Sequence, residues 1–476
     1  MSTDERRSHV AVIGAGPGGY PAAFRAAQLG MRVTLVDLED SPGGVCLYRG
    51  CIPSKTLLHV AAILDATKRL SDRGIRYAKP AIDLDKLRDW KTSVVQKMAG
   101  GLGSLAQAHN IRFLQGRARF EGPKSLYVES ENGDDPQQVD FDFAIVSTGS
   151  RPITPAGFPI DGTHVIDSTS ALELTDIPTS LLVVGGGYIG LELGSVYAAL
   201  GSQVTVVELE SHLLPGPDRD LVNPLEHQLK STFEQILLNT RVTEIDVQES
   251  DVHVSLTGPR IDQTSHRFDK VLVAVGRQPN TENLGLETIG AETTERGYIR
   301  VNAQRQTTAD SVFAVGDVAS EPMLAHKATH EAHVAVAAIA GEPVTYDPQA
   351  IPSVIFTDPE IAWCGLTESV ARDSNIPHQV IRFPWTASGR AATLGRTDGL
   401  TKLIVEPTTE RILGVGITGV GAGELIAEGV LAVEMGARAD DLRLSIHPHP
   451  TTSETIMESA ELFFGTSPHY ITRTRS

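Results

Sequence analysis

Two stretches of this chain spell the same local fold, and that duplication limits what the rest can build. His9-Val10-Ala11-Val12-Ile13 reads as a buried strand, Gly14-Ala15-Gly16-Pro17-Gly18-Gly19 as a turn, Tyr20 to Leu29 as an Ala-rich helix, and Arg32-Val33-Thr34-Leu35-Val36 as a second strand ending at Asp37. Strand, glycine turn, helix, strand and terminal acid in that order form a dinucleotide-binding unit. Gly14 permits the tight turn, Gly16 lets a pyrophosphate approach the amides at the helix N-terminus, and Gly19 allows close helix-strand packing. Asp37 can accept hydrogen bonds from ribose hydroxyls.

From Gly14 to Gly185, 171 residues on, the pattern returns. Leu181 to Val184 leads into Gly185-Gly186-Gly187-Tyr188-Ile189-Gly190, a helix follows through Glu192 to Leu200, and Gln203 to Val207 ends at Glu208. The offset is far too large for a solenoid repeat, so these are two separate dinucleotide modules. Two modules call for two cofactors, or one cofactor and one substrate dinucleotide. Glu208 would bind the ribose hydroxyls of NAD and repel a 2′-phosphate. Leu209-Glu210-Ser211-His212 follows it with no arginine cluster, which disfavours NADP.

Composition narrows the partners. The length suits about three domains, and 41% hydrophobic with 21% charged residues describes a soluble globular chain. With 41 basic against 59 acidic residues, the net charge of −18 argues against nucleic acid or an anionic membrane, while leaving room for a basic protein partner. No uninterrupted apolar span reaches bilayer length, and Met1 to Arg7 lacks the apolar core of a signal peptide, so a cytoplasmic location is expected.

Three cysteines also suit a reducing compartment. Cys46 and Cys51 lie in Gly43-Gly44-Val45-Cys46-Leu47-Tyr48-Arg49-Gly50-Cys51-Ile52-Pro53-Ser54-Lys55. Their spacing fits neither zinc-finger nor haem-attachment patterns, and no second pair completes a tetrahedral site, so no metal is expected. On a regular helix five residues rise about 7.5 Å and turn about 500°, which points the two side chains apart. Bridging needs Cα atoms within about 7 Å, so a disulfide here demands a departure from helical geometry, and a strained bridge is more easily reduced. Two buried free thiols or an inert staple are the other readings of the same spacing. Cys364 has no evident partner and reads as a small core residue.

The whole run resembles the active-site segment of the flavoprotein disulfide reductases, in particular the dihydrolipoamide dehydrogenase branch with its GGTCLNxGCIPSK pattern. Val45, Tyr48 and Arg49 depart from it; both cysteines and the C-I-P-S-K tail are intact. Further segments resemble that family in order. Phe143 to Ser150, with Thr148 and Gly149, looks like the strand and turn closing the first flavin segment. Val275-Gly276-Arg277-Gln278-Pro279-Asn280 looks like the exit from the NAD module. Ser311 to Asp317, with Gly316, looks like the second flavin fingerprint, Asp317 binding the ribitol. Pro322 to Ala328, with Ala325, resembles the helix start against the isoalloxazine, its last turns running through Glu331 and Ala332. His326 and His330 on that helix read as surface or packing residues.

Late in the chain, each histidine of Ser445-Ile446-His447-Pro448-His449-Pro450-Thr451-Thr452-Ser453-Glu454 precedes a proline, which holds the segment extended. Thr451 and Glu454 have capping-box spacing ahead of an apolar helix, so Glu454 reads as a helix cap and the histidines as loop residues on spacing alone. The run resembles the family's H-x-H-P-T-x-S-E segment, which implies His449 as acid/base and Glu454 as the residue that orients it, with His447 in support.

What the resemblance implies is an α/β protein with two Rossmann-like domains, for FAD and NAD, and a C-terminal α+β dimerisation domain. The expected segments are 1–153 (FAD, first part), 154–279 (NAD), 280–346 (FAD, second part) and 347–476 (interface). Alternating runs at Ala350 to Phe356 and Thr401 to Val405 and an apolar helix around Glu424 to Met435 suit the last. The implied activity is oxidation of lipoyl-bound dithiol, on 2-oxo acid dehydrogenase E2 components or glycine cleavage H protein, with reduction of NAD+ through tightly bound FAD. Cys46 would take the substrate thiolate and Cys51 face the flavin. Lys55 would pair with Glu192, though an ordinary charged pair has the same sequence. Tyr188 would cover the nicotinamide pocket, and the histidine pair would reach the disulfide of the other subunit of a homodimer. Other NAD(P)H disulfide reductases are the nearest rivals: Tyr470 to Ser476 lacks the terminal cysteine pair of mercuric reductases, Glu208 opposes the NADP preference of glutathione-type enzymes, and Cys46 is missing from soluble transhydrogenases. A non-catalytic flavoprotein subunit is the rival of another class.

Overall fold

The computed structural model describes residues 8–130, 133 and 135–471. Its first sheet is parallel throughout, in the order Val312–Ala314, Phe143–Val146, His9–Ile13, Arg32–Asp37, Arg112–Gln115. Apolar runs such as Val10-Ala11-Val12 are buried, as strands covered on both faces must be. The crossover helix Gly19–Gln28 buries Pro21, Ala22, Ala23 and Ala26, small residues that let it lie close to the strands. A second parallel sheet repeats the arrangement: Gln235–Leu237, Gln203–Val207, Ser180–Val184, Lys270–Val273, Val165–Ile166, with the helix Tyr188–Leu200 crossing it.

Each sheet is accompanied by a small antiparallel one, Arg117–Gly122 with Ser125–Glu129 and Gln137–Asp140 in the first case, Arg241–Val247 with Val252–Thr257 and Ser265–Phe268 in the second. Between the paired strands Ser125–Glu129 and Gln137–Asp140, Glu131, Asn132 and Asp134 lie outside the described residues. Beyond Ala350 an antiparallel sheet runs Ser353–Ile355, Glu360–Gly365, Ile412–Gly419, Leu400–Val405, Gln379–Pro384. Helix Ala422–Glu434 lies against it, where an added Cβ on Gly429 would sit 2.9 Å from Val415.

Two long helices, Cys51–Arg69 and Leu84–Ala108, follow the cysteine pair. Leu57 and Leu58 of the first share a buried cluster with Leu191 and Leu193 of the second module and with Ile355 and Ile361 of the third sheet, so this helix ties the cysteine pair to both. Charge reinforces it. Lys402, fully buried, donates to Asp218 (2.9 Å), to Asp220 (3.0 Å) and to Glu368 (2.6 Å), while Arg382 pairs with Asp220 and Glu368. The three acids could be mistaken for a metal site, but the Lys402 ammonium occupies their centre.

Two boundaries differ from the sequence expectation. The helix beginning at Ala325 continues past Ala332 to Ile339, because Val334, Ala335 and Val336 keep burying apolar surface and no breaker precedes Gly341. The last long helix begins at Glu454 rather than after a Thr451 cap: Thr451 Oγ1 bonds Pro448 O and Ser453 Oγ, and only the carboxylate half of the capping box forms. Among the described residues no helix is long and apolar enough to cross a membrane.

Candidate active site

The glycine turns of the two modules divide their work identically. Gly14 and Gly185 have φ of +93° and +109°, and a Cβ on either would strike a carbonyl of the neighbouring strand-end, Ser147 or Ala274. Gly19 and Gly190 press so close to the first glycine of their own turn that a Cβ would strike its carbonyl. The middle positions differ in kind: Gly16 has only Gly44 Cα at 3.9 Å and Gly187 has nothing within 4 Å, so the space there is left for a ligand. The terminal acids match too. Asp37 accepts the Ala15 and Glu39 amides, one on each oxygen, and Glu208 accepts Gly186 N–H at 2.6 Å and Glu210 N–H at 2.8 Å. Burial pushes the Asp37 carboxyl above its ordinary range against the pull of those amides. In both cases lone pairs remain for ribose hydroxyls.

Cys46 and Cys51 form a disulfide, with Cα atoms 4.8 Å apart. The departure from helical geometry occurs at Gly50, between helix Gly44–Arg49 and helix Cys51–Arg69. Glycine is needed for the close fold-back, since a Cβ there would lie 3.0 Å from Val45 O and 3.2 Å from Cys46 Cα. One turn into the second helix, Lys55 Nζ lies 2.8 Å from Glu192 Oε2 and 4.5 Å from the Phe356 ring centre. Glu192 is buried, and its other oxygen accepts Phe356 N–H at 2.9 Å. Cys364 is buried away from the pair, and burial pushes its thiol up to about 12.

A cavity of about 870 Å³ has the disulfide on its wall together with Gly14, Gly16, Asp37, Lys55, Thr148, Gly149, Tyr188, Glu192, Arg277, Gly316, Asp317 and Ala325. Its size is at the upper end of the roughly 300–1,000 Å³ usual for cofactor sites. Gly276 stands just outside with φ +130°, Ile153 filling the side a Cβ would take. Thr148 and Asn280 bond each other's main chain, at 2.7 and 2.9 Å, where strands Ser150–Pro152 and Arg277–Pro279 cross between the modules. An open turn for a pyrophosphate, an acid for a ribose and Asp317 for a polyol are the donor set that FAD requires, and these residues fit it. The sequence reading passed over Ser150, which bonds Asp317, and Glu331, which bonds the Gly316 amide. The coupling of each to the cavity is through space, with no local pattern to announce it.

Tyr48 and Arg49, the unusual residues beside the disulfide, have partners of their own: Tyr48 donates to Ser41 O at 3.0 Å and Arg49 pairs with Glu39. His326 bonds Pro352 O and His330 sits edge-on to Tyr346.

His449 and Glu454 do not line this cavity. His449 Nδ1 lies 2.9 Å from Glu454 Oε1, and Oε2 of the same carboxylate accepts Thr451 N–H at 2.7 Å. Burial works against the charge on Glu454, but the bonds from Thr451 and His449 prevail and hold its carboxyl below the ordinary range. With Nδ1 donating to the carboxylate, Nε2 is left to exchange protons, on a ring that is 74% exposed. His447 is held at 2.8 Å by Glu428. Beside it Ile446 is 98% exposed, an apolar side chain left for another surface to cover.

Residues 8–332 match the family model described as pyridine nucleotide-disulphide oxidoreductase, and residues 351–460 match its dimerisation domain. The chain is 44% identical to the dihydrolipoyl dehydrogenase of Vibrio parahaemolyticus over 461 residues, covering 97% of this chain and 96% of that one. It is 46% identical to the dihydrolipoyl dehydrogenase of Thermus scotoductus over 464 residues, 97% and 98% of the two chains. Among solved structures, LpdA of Mycobacterium tuberculosis superposes with a TM-score of 0.89 at 25% identity, over 96% and 99% of the two chains. The HOCl-induced flavoprotein disulfide reductase RclA of Escherichia coli gives 0.84 at 30%, over 95% and 99%. Sequence and fold agree over nearly the whole length, and the chain belongs to the pyridine nucleotide-disulphide oxidoreductase family.

Proposed function

We propose that this protein is an FAD-containing enzyme that oxidises lipoyl-bound dithiol to lipoamide and reduces NAD+. One observation carries the reading: the Cys46–Cys51 disulfide stands in the wall of the cavity whose other walls present the dinucleotide turn and Asp317. His449 Nε2 takes a proton from one substrate thiol, and the resulting thiolate attacks Cys46 Sγ, breaking the bond to Cys51. The second substrate sulfur then attacks the first, forming the lipoamide disulfide and displacing Cys46; the imidazole passes its proton to the departing Cys46 sulfur and takes the second thiol's proton, so the enzyme holds a Cys46 thiol, a Cys51 thiolate and a protonated His449, reduced by two electrons. Glu454 keeps the imidazole in the tautomer and orientation this needs. Cys51 begins a 19-residue helix, whose N-terminal amides favour the thiolate formed there. Bound FAD supplies the path by which those two electrons reach NAD+ as hydride. Lys55, held by Glu192, places a positive charge in the wall of the flavin cavity.

The remaining site assignments follow the same reading. Gly14, Gly16, Gly19, Asp37, Thr148, Gly149, Gly316, Asp317 and Ala325 serve the flavin; Gly185, Gly187, Tyr188, Gly190, Glu208, Gly276 and Arg277 serve the pyridine nucleotide. Segments 1–153 and 280–346 build the flavin domain, 154–279 the NAD domain and 347–476 the interface domain. Since the histidine pair lies off the cavity of its own chain, a second copy brings it to the disulfide, in a homodimer with shared sites. Lipoyl domains of 2-oxo acid dehydrogenase E2 components or glycine cleavage H protein are the substrates' carriers. The test is NAD+ reduction by the purified protein with dihydrolipoamide, run beside NADP+ and Cys46→Ser. Turnover with NAD+ that the substitution abolishes is expected; an FAD-loaded protein inert to dihydrolipoamide overturns the reading.

A further inference from the structure

The Gly316–Asp317 turn is fastened from beneath. Buried Glu331 accepts Gly316 N–H at 2.6 Å, and its other oxygen is fixed by Arg305 at 2.7 Å and Lys327 at 3.2 Å. That settles the backbone of the turn and leaves the Asp317 side chain to be set by something else. Ser150, 2% exposed, lies with Oγ 2.5 Å from Asp317 Oδ2. Ser150 Oγ is also 2.8 Å from Arg277 Nε, and Arg277 Nη2 lies 2.7 Å from Ser150 O.

Hydrogen-bond chemistry fixes the direction of this chain. A guanidinium can only donate, so Arg277 Nε–H points at Ser150 Oγ; a serine hydroxyl has one proton, and with its oxygen engaged as acceptor that proton goes to the Asp317 carboxylate. Oδ2 is thereby occupied, and Oδ1, which accepts no hydrogen bond among the described residues, is the oxygen presented to the cavity. We propose that Ser150 is a positioning residue for the flavin, a hydroxyl bridge through which Arg277 of the NAD-module exit holds Asp317 in the orientation that receives a polyol hydroxyl. The inference rests on the flavin reading above and adds to it a residue of the cavity wall that acts through Asp317.

The test measures FAD, not turnover. Apoprotein of the full chain is titrated with FAD, and its release rate is followed by flavin fluorescence, for wild type, Ser150→Ala, Ser150→Thr, Arg277→Gln and the Ser150→Ala/Arg277→Gln pair. Ser150→Ala is expected to weaken FAD binding about tenfold, as loss of a hydrogen bond to a charged group does, and Ser150→Thr, which keeps the hydroxyl, to restore it. Arg277→Gln is expected to weaken binding in the wild-type background and to add nothing in Ser150→Ala, the non-additivity of a residue acting through another. Unchanged FAD affinity in Ser150→Ala, or full additivity of the pair, overturns the proposal. If Ser150→Ala yields no soluble protein, the Arg277→Gln release rate decides in its place, an unchanged rate counting against the bridge. Failure of the wild-type apoprotein itself to take up FAD would instead sink the flavin reading.

Discussion

At the residue scale the acid/base pair depends on single atoms held by a partner near in sequence. His449 and Glu454 are five apart, and replacing His449 by Gln is expected to lower kcat about 10²- to 10⁴-fold, the usual contribution of a positioned general acid/base. Glu454→Gln should cost less, since the ring and its proton survive, and steady-state kinetics with dihydrolipoamide distinguishes the two. Because the Glu454 carboxyl is held below its ordinary value of 4.5, it keeps its charge through that pH and its bond to the imidazole is lost only as the pH falls through the lower value; an acid limb above 4.5 in the kcat profile should not be assigned to Glu454. Cys364 works in the opposite sense. Its thiol is pushed from 9.0 to about 12 by burial, so its contribution is complete below 9 and stability falls as the pH rises toward 12. Against Cys364→Ala, wild type should lose on the order of 1 kcal/mol more per pH unit in that window, read from denaturant midpoints. Such residues were legible because their chemistry is unusual for their surroundings. Ser150 was not, because a serine after a glycine turn has no distinctive pattern and its two partners are 127 and 167 residues away.

Among the elements, the dinucleotide units were legible nearly to the residue, since the first and last glycines of each turn answer to a steric demand that no other side chain meets and the middle one leaves room for a ligand. Their parallel construction separates the two nucleotides experimentally. Gly187→Ala adds a methyl group only to open space, so the variant should melt as wild type and keep its flavin while KM for NAD+ rises about tenfold, in keeping with a ligand that approaches the backbone there. Gly14→Ala meets both a positive φ and the Ser147 carbonyl, and should lose flavin and soluble yield together. Helix ends were less legible. Capping-box spacing at Thr451 was real, but the carbonyl of Pro448, three residues before it, draws the Thr451 hydroxyl away, and the helix starts at Glu454. The two long helices after Cys51 had no prediction at all, their apolar faces being spread over surfaces that only the tertiary fold brings together.

For the molecule as a whole, the second and third sheets are joined by a shared apolar core, into which the helix from Cys51 also packs, and by the Lys402 cluster. No sequence pattern announces that cluster, because Lys402's acidic partners are 34, 182 and 184 residues away. Lys402→Met should destabilise the protein by roughly 3 kcal/mol, since it leaves three partly buried acids facing one another, with unfolding in urea as the measurement. A shared site has its own signature: subunits carrying Cys46→Ser and subunits carrying His449→Gln should be inactive alone and regain activity when refolded together, each mixed dimer having one intact site. The position of the redox bond bears on how the molecule survives its own turnover. The disulfide joins cysteines only 5 apart in sequence, so opening it returns little freedom to the unfolded chain. By the loop-closure relation such a short ring is worth roughly 2 kcal/mol, against nearly 5 for a loop of about a hundred residues. An enzyme that breaks and remakes this bond in each cycle therefore changes its electron count with less than half the swing in its margin against unfolding that a long-loop bridge would bring.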